Sequence, residues 1–320
     1  MSSPHLIKDP RRIGDAIHQA STKIKYRSLS SVFMDRLFFV LIIVVFVIVS
    51  SSAVPVFAQA RTVVFVVSRS DPQEAQSSMD AVLMIENGKL KAPYAEQSEA
   101  AQKRFATQYF STGKVYRVTF GGGEVGSATV KDSSVGCNNI HARATVDHGG
   151  KIPSHLSGLA TNSSSIGKRP SARRAPTSAE RTAVMKLVDQ TYRARRTPAS
   201  WLPKLQTTNL TATDLNGDGK FELIGSFVIE TATKQRRDLL LIAEPLGEGF
   251  KPAFVNFQAY KMQPEGFDSA IDFVDQVDVD GDGIGEVFTT QHGFDAYGYN
   301  IYKKVSGRWR LILSTVGDAC

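Results

Sequence analysis

The chain has 320 residues, of which 42% are hydrophobic, 9% aromatic and 22% charged. This composition is typical of a folded protein and excludes a disordered or fibrous chain. The first 60 residues carry +4 of the net charge of +7, so the remainder lacks the basic excess of a nucleic-acid-binding domain, and we expect no nucleic-acid partner. Two cysteines are too few for a disulfide scaffold or a four-cysteine zinc site.

Residues 1–60 have the features of a signal peptide. An apolar stretch of 13 residues, Leu37 to Val49, follows a basic residue and precedes the triplet Ala58-Gln59-Ala60. A basic flank, a short apolar core and an A-x-A site are typical of a secretory leader. We therefore predict an extracytoplasmic protein, secreted or periplasmic, with Met34 as its true start and a cleaved leader. The alternative is an uncleaved anchor that extends to about Phe57 and leaves the protein attached to the membrane, facing outside.

Residues 61–146 are expected to form a small α+β domain. Runs rich in β-branched and aromatic residues, such as TVVFVVS and KVYRVTF, predict strands. Asn87-Gly88 predicts a tight hairpin turn, and apolar residues near the helical period predict a helix over 94–110. Residues 147–176 are rich in Gly, Ser and Pro without periodicity, which indicates a flexible linker.

Residues 177–320 contain a helix and an internal repeat. Thr177 and Glu180 have the spacing of a helix-capping box. After the helix, one pattern occurs twice: strand, acidic loop, strand, turn, strand, turn and strand. We call the acidic segments loop 1 (214–222) and loop 2 (278–286). Because four consecutive antiparallel strands make one blade-like sheet, we predict a fold that is α+β, mostly β, with two four-stranded blade-like sheets and the helix beside them.

Both loops have the ligand spacing of a calcium site. Oxygen-bearing side chains stand at positions one, three, five and nine, and a backbone carbonyl stands at position seven. The candidate ligands are Asp214, Asn216, Asp218, Lys220 and Glu222 in loop 1, and Asp278, Asp280, Asp282, Ile284 and Glu286 in loop 2. Alternating oxygen donors converge on one point when the chain coils around an ion, and a donor set without Cys or His selects Ca²⁺ over zinc or copper.

The number of carboxylates differs between the two loops. Loop 1 carries three, and loop 2 carries four. Because four carboxylates close together repel one another without a cation, we expect loop 2 to bind calcium more tightly. The alternative is a pair of acidic turns without an ion, since Asp, Asn and Gly favour turns in any case.

The loops are not EF-hands, because position twelve, which must be a bidentate Glu, is Gly225 or Thr289. The segments DLNGDGKFELIG and DVDGDGIGEV, each followed by a strand, instead resemble the calcium loops of FG-GAP/VCBS-repeat proteins, as found in integrin α-subunit propellers. The resemblance covers about residues 206–315 and implies β-propeller-like blades with bound calcium. The FG-GAP phrase itself is missing, and two copies are fewer than the ~4 blades of a closed propeller.

The cysteines and histidines suggest a disulfide more than a metal site. Cys137, His141, His148 and His155 match no closed zinc spacing. Cys137 can pair with Cys320, since export permits disulfides. An intermolecular bond or two free thiols are the alternatives.

Catalytic motifs are scarce. The sequence has no G-x-S-x-G elbow, no H-E-x-x-H and no P-loop. Gly121, Gly123 and Gly126 spell G-x-G-x-x-G, but the strand-like residues that follow predict a glycine-rich hairpin and not a dinucleotide site. We expect a non-enzymatic calcium-binding repeat protein of the cell envelope that binds a protein or glycan or serves as a structural module. The alternative is an envelope hydrolase with its active site around Glu124 and His141, stabilised by the repeats.

Overall fold

The computed structural model describes residues 61–68, 76–93, 98–137, 139–153, 156–262, 271–293 and 296–319. The predicted leader lies outside the described residues. The described part of the chain is mostly β, as the sequence predicts, with sixteen strands and two α-helices. In this part of the chain, no helix is both long enough and apolar enough to cross a membrane.

The first seven strands form one sheet that closes into a barrel. They are β1 (Thr62–Ser68), β2 (Ser77–Glu86), β3 (Lys89–Lys91), β4 (Val115–Phe120), β5 (Gly123–Val135), β6 (Ile140–Asp147) and β7 (Gly158–Thr161). The sheet order is β1-β7-β4-β5-β6-β2-β3, and β2 also pairs with β1, so that six strands form a ring and β3 extends from β2. Helix α1 (Glu99–Tyr109) contributes Phe105 and Tyr109 to the same apolar cluster as Phe65 of β1.

The segment expected to be a flexible linker contributes to this barrel. Strand β7 is buried along its whole length and pairs with both β1 and β4. The segment GLAT gives no strand signal in the sequence, because four residues are too few to show a strand period. Residues 61–146 therefore close into a barrel only together with residues 158–161.

Two antiparallel sheets follow in the C-terminal half. Sheet 1 contains β8 (Arg173–Arg174), β9 (Leu205–Thr213), β10 (Glu222–Glu230), β11 (Gln235–Leu246) and β12 (Gly249–Lys261), in the order β12-β11-β10-β9-β8. Sheet 2 contains β13 (Ile271–Val277), β14 (Glu286–His292), β15 (Ala296–Val305) and β16 (Arg308–Ala319), in chain order. Between β8 and β9 lie helix α2 (Ser178–Ala194) and a 3₁₀ helix (Ala199–Lys204).

Helix α2 begins where the sequence predicts. The Thr177 side chain accepts a hydrogen bond from the Glu180 backbone N–H, and the Glu180 side chain accepts from the Thr177 N–H, which completes the capping box. Val184, Val188 and Tyr192 are buried against sheet 1. This stripe recurs at helical spacing, so the helix covers one face of the sheet.

The described elements stack in layers: barrel, sheet 2, sheet 1 and α2. Strand β1 is buried on both faces, because Phe65 points into the barrel cluster while Val64 packs with Phe288 of sheet 2. The other face of sheet 2 packs against sheet 1, where Val287 lies in one cluster with Ile242. Two-sided burial explains why β1 is a continuous apolar run and does not alternate.

Candidate metal centre

Loops 1 and 2 occupy equivalent places in their sheets. Loop 1 joins β9 to β10 after the last cross-strand pair, Thr213 with Glu222. Loop 2 joins β13 to β14 after the pair Val277 with Glu286. In both sheets the glutamate at position nine is therefore the first residue of a strand, and its backbone is held in place by strand pairing.

The first aspartate of each loop organises the turn. In loop 1, Asp214 Oδ1 accepts from the Gly217 N–H at 2.7 Å, and Oδ2 accepts from the Gly219 N–H at 2.9 Å. Gly219 has φ = +80°, a backbone conformation that disfavours any side chain. The backbone N–H of Lys220 donates to Asp218 Oδ1 at 2.8 Å. Loop 1 thus coils around its carboxylates.

Loop 2 has the same backbone hydrogen bonds. Asp278 Oδ1 accepts from the Gly281 N–H at 2.7 Å, and Oδ2 accepts from the Gly283 N–H at 3.0 Å. The Ile284 N–H donates to Asp282 Oδ1 at 2.9 Å. The two loops, which share a sequence pattern, therefore share a conformation.

Glu222 of loop 1 is a buried carboxylate without a cationic partner. It is 5% exposed, and its Oε2 accepts from the Leu215 N–H at 2.9 Å. Burial, together with the smaller effect of the nearby charges of Asp214 and Asp218, raises the pKa of Glu222 to about 7, against the effect of the backbone hydrogen bonds. Within the described residues, no lysine or arginine forms an ion pair with these three acids.

Glu286, the matching residue of loop 2, has a lysine as its partner. The ammonium of Lys303 lies 2.8 Å from Glu286, 2.8 Å from Asp280 and 2.6 Å from Asp282. Glu286 is 1% exposed, and burial raises its pKa to about 7, although the hydrogen bond from Lys303 opposes that shift. Burial lowers the pKa of Lys303, but its three hydrogen bonds to carboxylates outweigh this effect and raise it.

Strand register shows which residue of sheet 1 corresponds to Lys303. The residue after Glu286 lies opposite the residue before Lys303. The residue after Glu222 lies opposite the residue before Glu244 in the same way. Glu244 is therefore the counterpart of Lys303, and its carboxylate pairs at 2.7 Å with Lys304 of sheet 2. The two sites thus differ by a reversal of charge at one position.

The structure brings the predicted ligands of loop 2 closest together. One oxygen each of Asp278, Asp280 and Glu286 lies within 4.8 Å of the others. Among the described residues, the three carboxylates of loop 1 do not come this close together. The ammonium of Lys303, at hydrogen-bonding distance from Asp280 and Glu286, itself draws these carboxylates together.

A cleft of about 720 Å³ lies between the two loops and the barrel. Arg169 lines this cleft and contacts both loops: its guanidinium packs against Gly217, donates to the Gly283 carbonyl and lies 4.0 Å from the Asp278 carboxylate. Lys168 also lines the cleft. The other lining residues with polar side chains are Ser165, Asp214, Asn216, Gln276 and Asp280.

The residues considered for a hydrolase are not brought together. Glu124 of β5 pairs with Arg117 of β4. His141 of β6 lies opposite Ser134, ten residues along β5 from Glu124. Ten residues of a strand span about 33 Å, so these two side chains cannot act on one substrate atom.

Two further features of the sequence resolve into local structure. Gly121 and Gly122 form the turn between β4 and β5, with φ of +60° and +81°, which confirms the predicted glycine-rich hairpin. Cys137 is disulfide-bonded, and the sequence contains one other cysteine, Cys320. His155, one of the histidines considered for zinc, lies outside the described residues.

The sequence pattern of the loops does not identify Lys303 or Arg169. When the two loops are aligned in sequence, Lys303 falls opposite Leu239 and not Glu244, so its signal lies only in the strand register. Arg169 carried no such signal, because its segment has no repeat partner and its position depends on how the barrel meets the two sheets.

Comparison of the chain with protein-family models, curated proteins and solved structures gives no match.

Proposed function

We propose that this chain is an exported, non-enzymatic binding or structural module of the cell envelope, stabilised by calcium in loop 1. The observation that carries this proposal is Glu222, a buried carboxylate with no cationic partner among the described residues, at a position where its counterpart has one. An unpaired buried charge is costly, and a divalent cation bound at loop 1 removes that cost.

The residues of loop 1 fit a calcium ion. Asp214, Asn216, Asp218 and Glu222 supply side-chain oxygens, and Lys220 supplies a carbonyl. Hard oxygen donors at alternating positions match the preference of Ca²⁺. When bound, the ion neutralises the carboxylates and rigidifies the loop. The protein's own residues hold the loop open for it, because the backbone N–H groups bonded to Asp214 fix the turn.

The resemblance to FG-GAP/VCBS repeats is part of this proposal. Sheets 1 and 2 each contain four consecutive antiparallel strands, with an acidic loop between the first two. We take β9–β12 and β13–β16 as two blade-like copies of one repeat, and residues 61–146 as the core of the smaller N-terminal unit. The shared loop hydrogen bonds support a common origin for the two copies.

The cleft between the loops is the proposed ligand-binding surface. Its volume of about 720 Å³ suits a short segment of a larger molecule. Lys168 and Arg169 line it together with Asp214, Asp278 and Asp280, and Arg169 lies 4.0 Å from the Asp278 carboxylate. A protein or glycan segment with polar groups along its length matches this lining, since the cleft offers hydrogen-bonding groups and charges of both signs.

The disulfide at Cys137 supports an extracytoplasmic location, because such bonds persist in oxidising compartments. The predicted leader at 1–60 supports the same location. It is either cleaved after 58–60 or retained as a membrane anchor.

Calcium binding is tested by titration of the calcium-free protein. We expect a dissociation constant on the order of 10⁻⁴–10⁻³ M, typical of extracellular modules. Saturation at about 100 times that constant adds about 2.7 kcal/mol of stability, so the melting temperature should rise by several degrees. Calorimetric titration and thermal melts with and without chelator measure both quantities.

The matched variants are Asp218→Asn and Asp189→Asn. The first keeps the oxygen that accepts from Lys220 but removes a ligand charge, and it should weaken calcium binding by about tenfold or more. The second removes an exposed carboxylate on α2 that pairs with Arg193, and it should bind calcium like the wild type. A melting temperature that changes neither with added calcium nor with chelator contradicts the proposal.

A further inference from the structure

Loop 2 already holds a positive charge where its sequence pattern places a metal ion. The side chains at positions three, five and nine are Asp280, Asp282 and Glu286, and the ammonium of Lys303 contacts all three at 2.6–2.8 Å. Three carboxylates around one ammonium satisfy its three N–H donors. The residues of loop 2 therefore do not fit a calcium ion while Lys303 is in place.

An ammonium and a calcium ion cannot share this site. Both would lie within a few ångströms of the same three carboxylates, and like charges at such a distance repel strongly where burial limits solvent screening. The Lys303 side chain is 17% exposed and Glu286 is fully buried. Binding a metal ion would thus require Lys303 to leave and to find another partner.

Lys303 has an advantage over a free ion because it is tethered. Strand β15 fixes its backbone beside β14, where its neighbour Tyr302 lies opposite Val287. A tethered group acts at an effective concentration in the millimolar range or above. Extracellular calcium sites of this kind bind weakly, with dissociation constants of about 10⁻⁴–10⁻³ M, and a free ion must also displace an ammonium that the fold already holds against three carboxylates.

We propose that Lys303 is a built-in cation that replaces calcium in loop 2, so that two loops of one sequence pattern take different cations. The expectation that loop 2 binds calcium more tightly counted four carboxylates and omitted this lysine. The part of the inference that concerns loop 1 rests on the proposed function, but the part that concerns loop 2 does not.

The test compares Lys303→Met with Lys304→Met. Methionine keeps a long unbranched side chain without the charge. Lys304 is the adjacent lysine, and it pairs with Glu244 away from loop 2. The number of calcium ions bound per chain is measured by equilibrium dialysis, with circular dichroism to verify folding. We expect one ion for the wild type, two for Lys303→Met and one for Lys304→Met.

Other outcomes separate this inference from the proposed function. A wild type that binds no calcium while Lys303→Met binds one overturns the proposal for loop 1 but supports the role of Lys303. A wild type that binds two ions, or a folded Lys303→Met that binds no more than the wild type, overturns the inference about loop 2.

A measurement on the wild type covers the case in which Lys303→Met fails to fold. Acetylation of lysines by an amine-reactive reagent, read out by peptide mass spectrometry, reports whether the ammonium stays in loop 2. We expect Lys303 to stay protected at every calcium concentration up to 10 or more times the dissociation constant of loop 1. Reactivity of Lys303 that rises with calcium, while that of exposed Lys89 on β3 does not, means displacement by the metal and overturns the proposal.

Discussion

His141 lies between two carboxylates where the barrel meets sheet 2. Its Nδ1 is 2.5 Å from Asp80 of β2, and its Nε2 is 3.2 Å from Asp318 of β16. The hydroxyls of Tyr297 and Tyr299 on β15 also donate to Asp80. A protonated His141 imidazole therefore hydrogen-bonds to the barrel and to sheet 2 at once. Its positive charge stabilises the association of these two layers.

We predict that the protein loses stability as the pH rises through neutrality because of His141. The hydrogen bond to Asp80 is the main cause that raises the folded-state pKa of His141, against the effect of burial. A raised histidine pKa contributes stability that is fully present below the unfolded value of about 6.5 and is lost as the pH rises through the folded value. Urea unfolding at about pH 6 and about pH 8 measures this loss.

The variant His141→Gln isolates this contribution from that of the acidic loops. Its unfolding free energy should change less between the two pH values than that of the wild type. His148→Gln is the control, because the ring of His148 accepts from the Ile152 backbone N–H. An equal pH dependence for the wild type and His141→Gln would show that the His141 charge does not link the layers.

Arg173 is buried, although its sequence context predicts an exposed side chain. It lies in a basic, proline-containing segment that predicts a solvated linker, yet its side chain is 2% exposed. Its guanidinium lies 4.7 Å from the Phe120 ring and 4.5 Å from the Phe273 ring, and it pairs at 3.1 Å with the fully buried Asp275. The three partners come from distant parts of the chain, so no local pattern could place Arg173 among them.

At the scale of elements, the capping box of α2 provides a measurable link between sequence and stability. We predict that Thr177→Ala costs about 1 kcal/mol of unfolding free energy, because it removes the acceptor of the Glu180 backbone N–H. Chemical denaturation monitored by circular dichroism measures the loss. The cost reaches the whole chain because α2 covers one face of sheet 1.

Thr182→Ala is the matched control on the same helix. The hydroxyl of Thr182 bonds only the Ser178 carbonyl within the preceding turn, and alanine has the higher helix propensity. This variant should be neutral or slightly more stable. Equal losses for the two variants would mean that the effect comes from threonine removal in general and not from the cap.

Elements with a local chemical signal could be predicted from the sequence. Asn87 and Gly88 have φ of +52° and +72° in the turn between β2 and β3, as the hairpin signal requires. The two acidic loops also lie between strands, as the repeated pattern of strand and acidic loop in the sequence predicts. Strands β7 and β8 could not be predicted, because they have four and two residues and exist only through pairing with distant strands.

The candidate site likewise combines residues that the local sequence identifies with residues that only the tertiary structure brings in. The positions of the loop ligands are encoded within nine residues, so the sequence was sufficient to identify them. Lys303 and Arg169 reach the loops from other segments, and their positions depend on strand register and layer packing. A count of carboxylates within each loop therefore could not reveal which loop already has a cation.

At the scale of the whole molecule, the layers share their apolar cores. One cluster joins Val64 and Leu159 of the barrel to Phe288 of sheet 2, and another joins sheet 2 to sheet 1. All described residues belong to one compact unit. Because neither layer can be exposed without opening a shared core, we expect the barrel and the two sheets to unfold together.

We predict that Phe288→Ala lowers the stability of the barrel and of sheet 2 by the same amount. Phe288 is completely buried in the shared cluster, and truncation of a buried phenylalanine costs about 3–5 kcal/mol. Hydrogen exchange in mild urea gives an opening free energy for each backbone amide. The most protected amides of β1 and of β14 should both lose this amount relative to the wild type.

Val115→Ala on β4 is the control, because its side chain is 62% exposed and its truncation should change neither set of amides appreciably. A drop in the β14 amides while the β1 amides keep their wild-type protection would show that the barrel unfolds independently. Residues 147–176 would then act as a true linker despite the pairing of β7. Equal losses instead establish that the cleft between the barrel and the loops is a fixed feature of one cooperative fold.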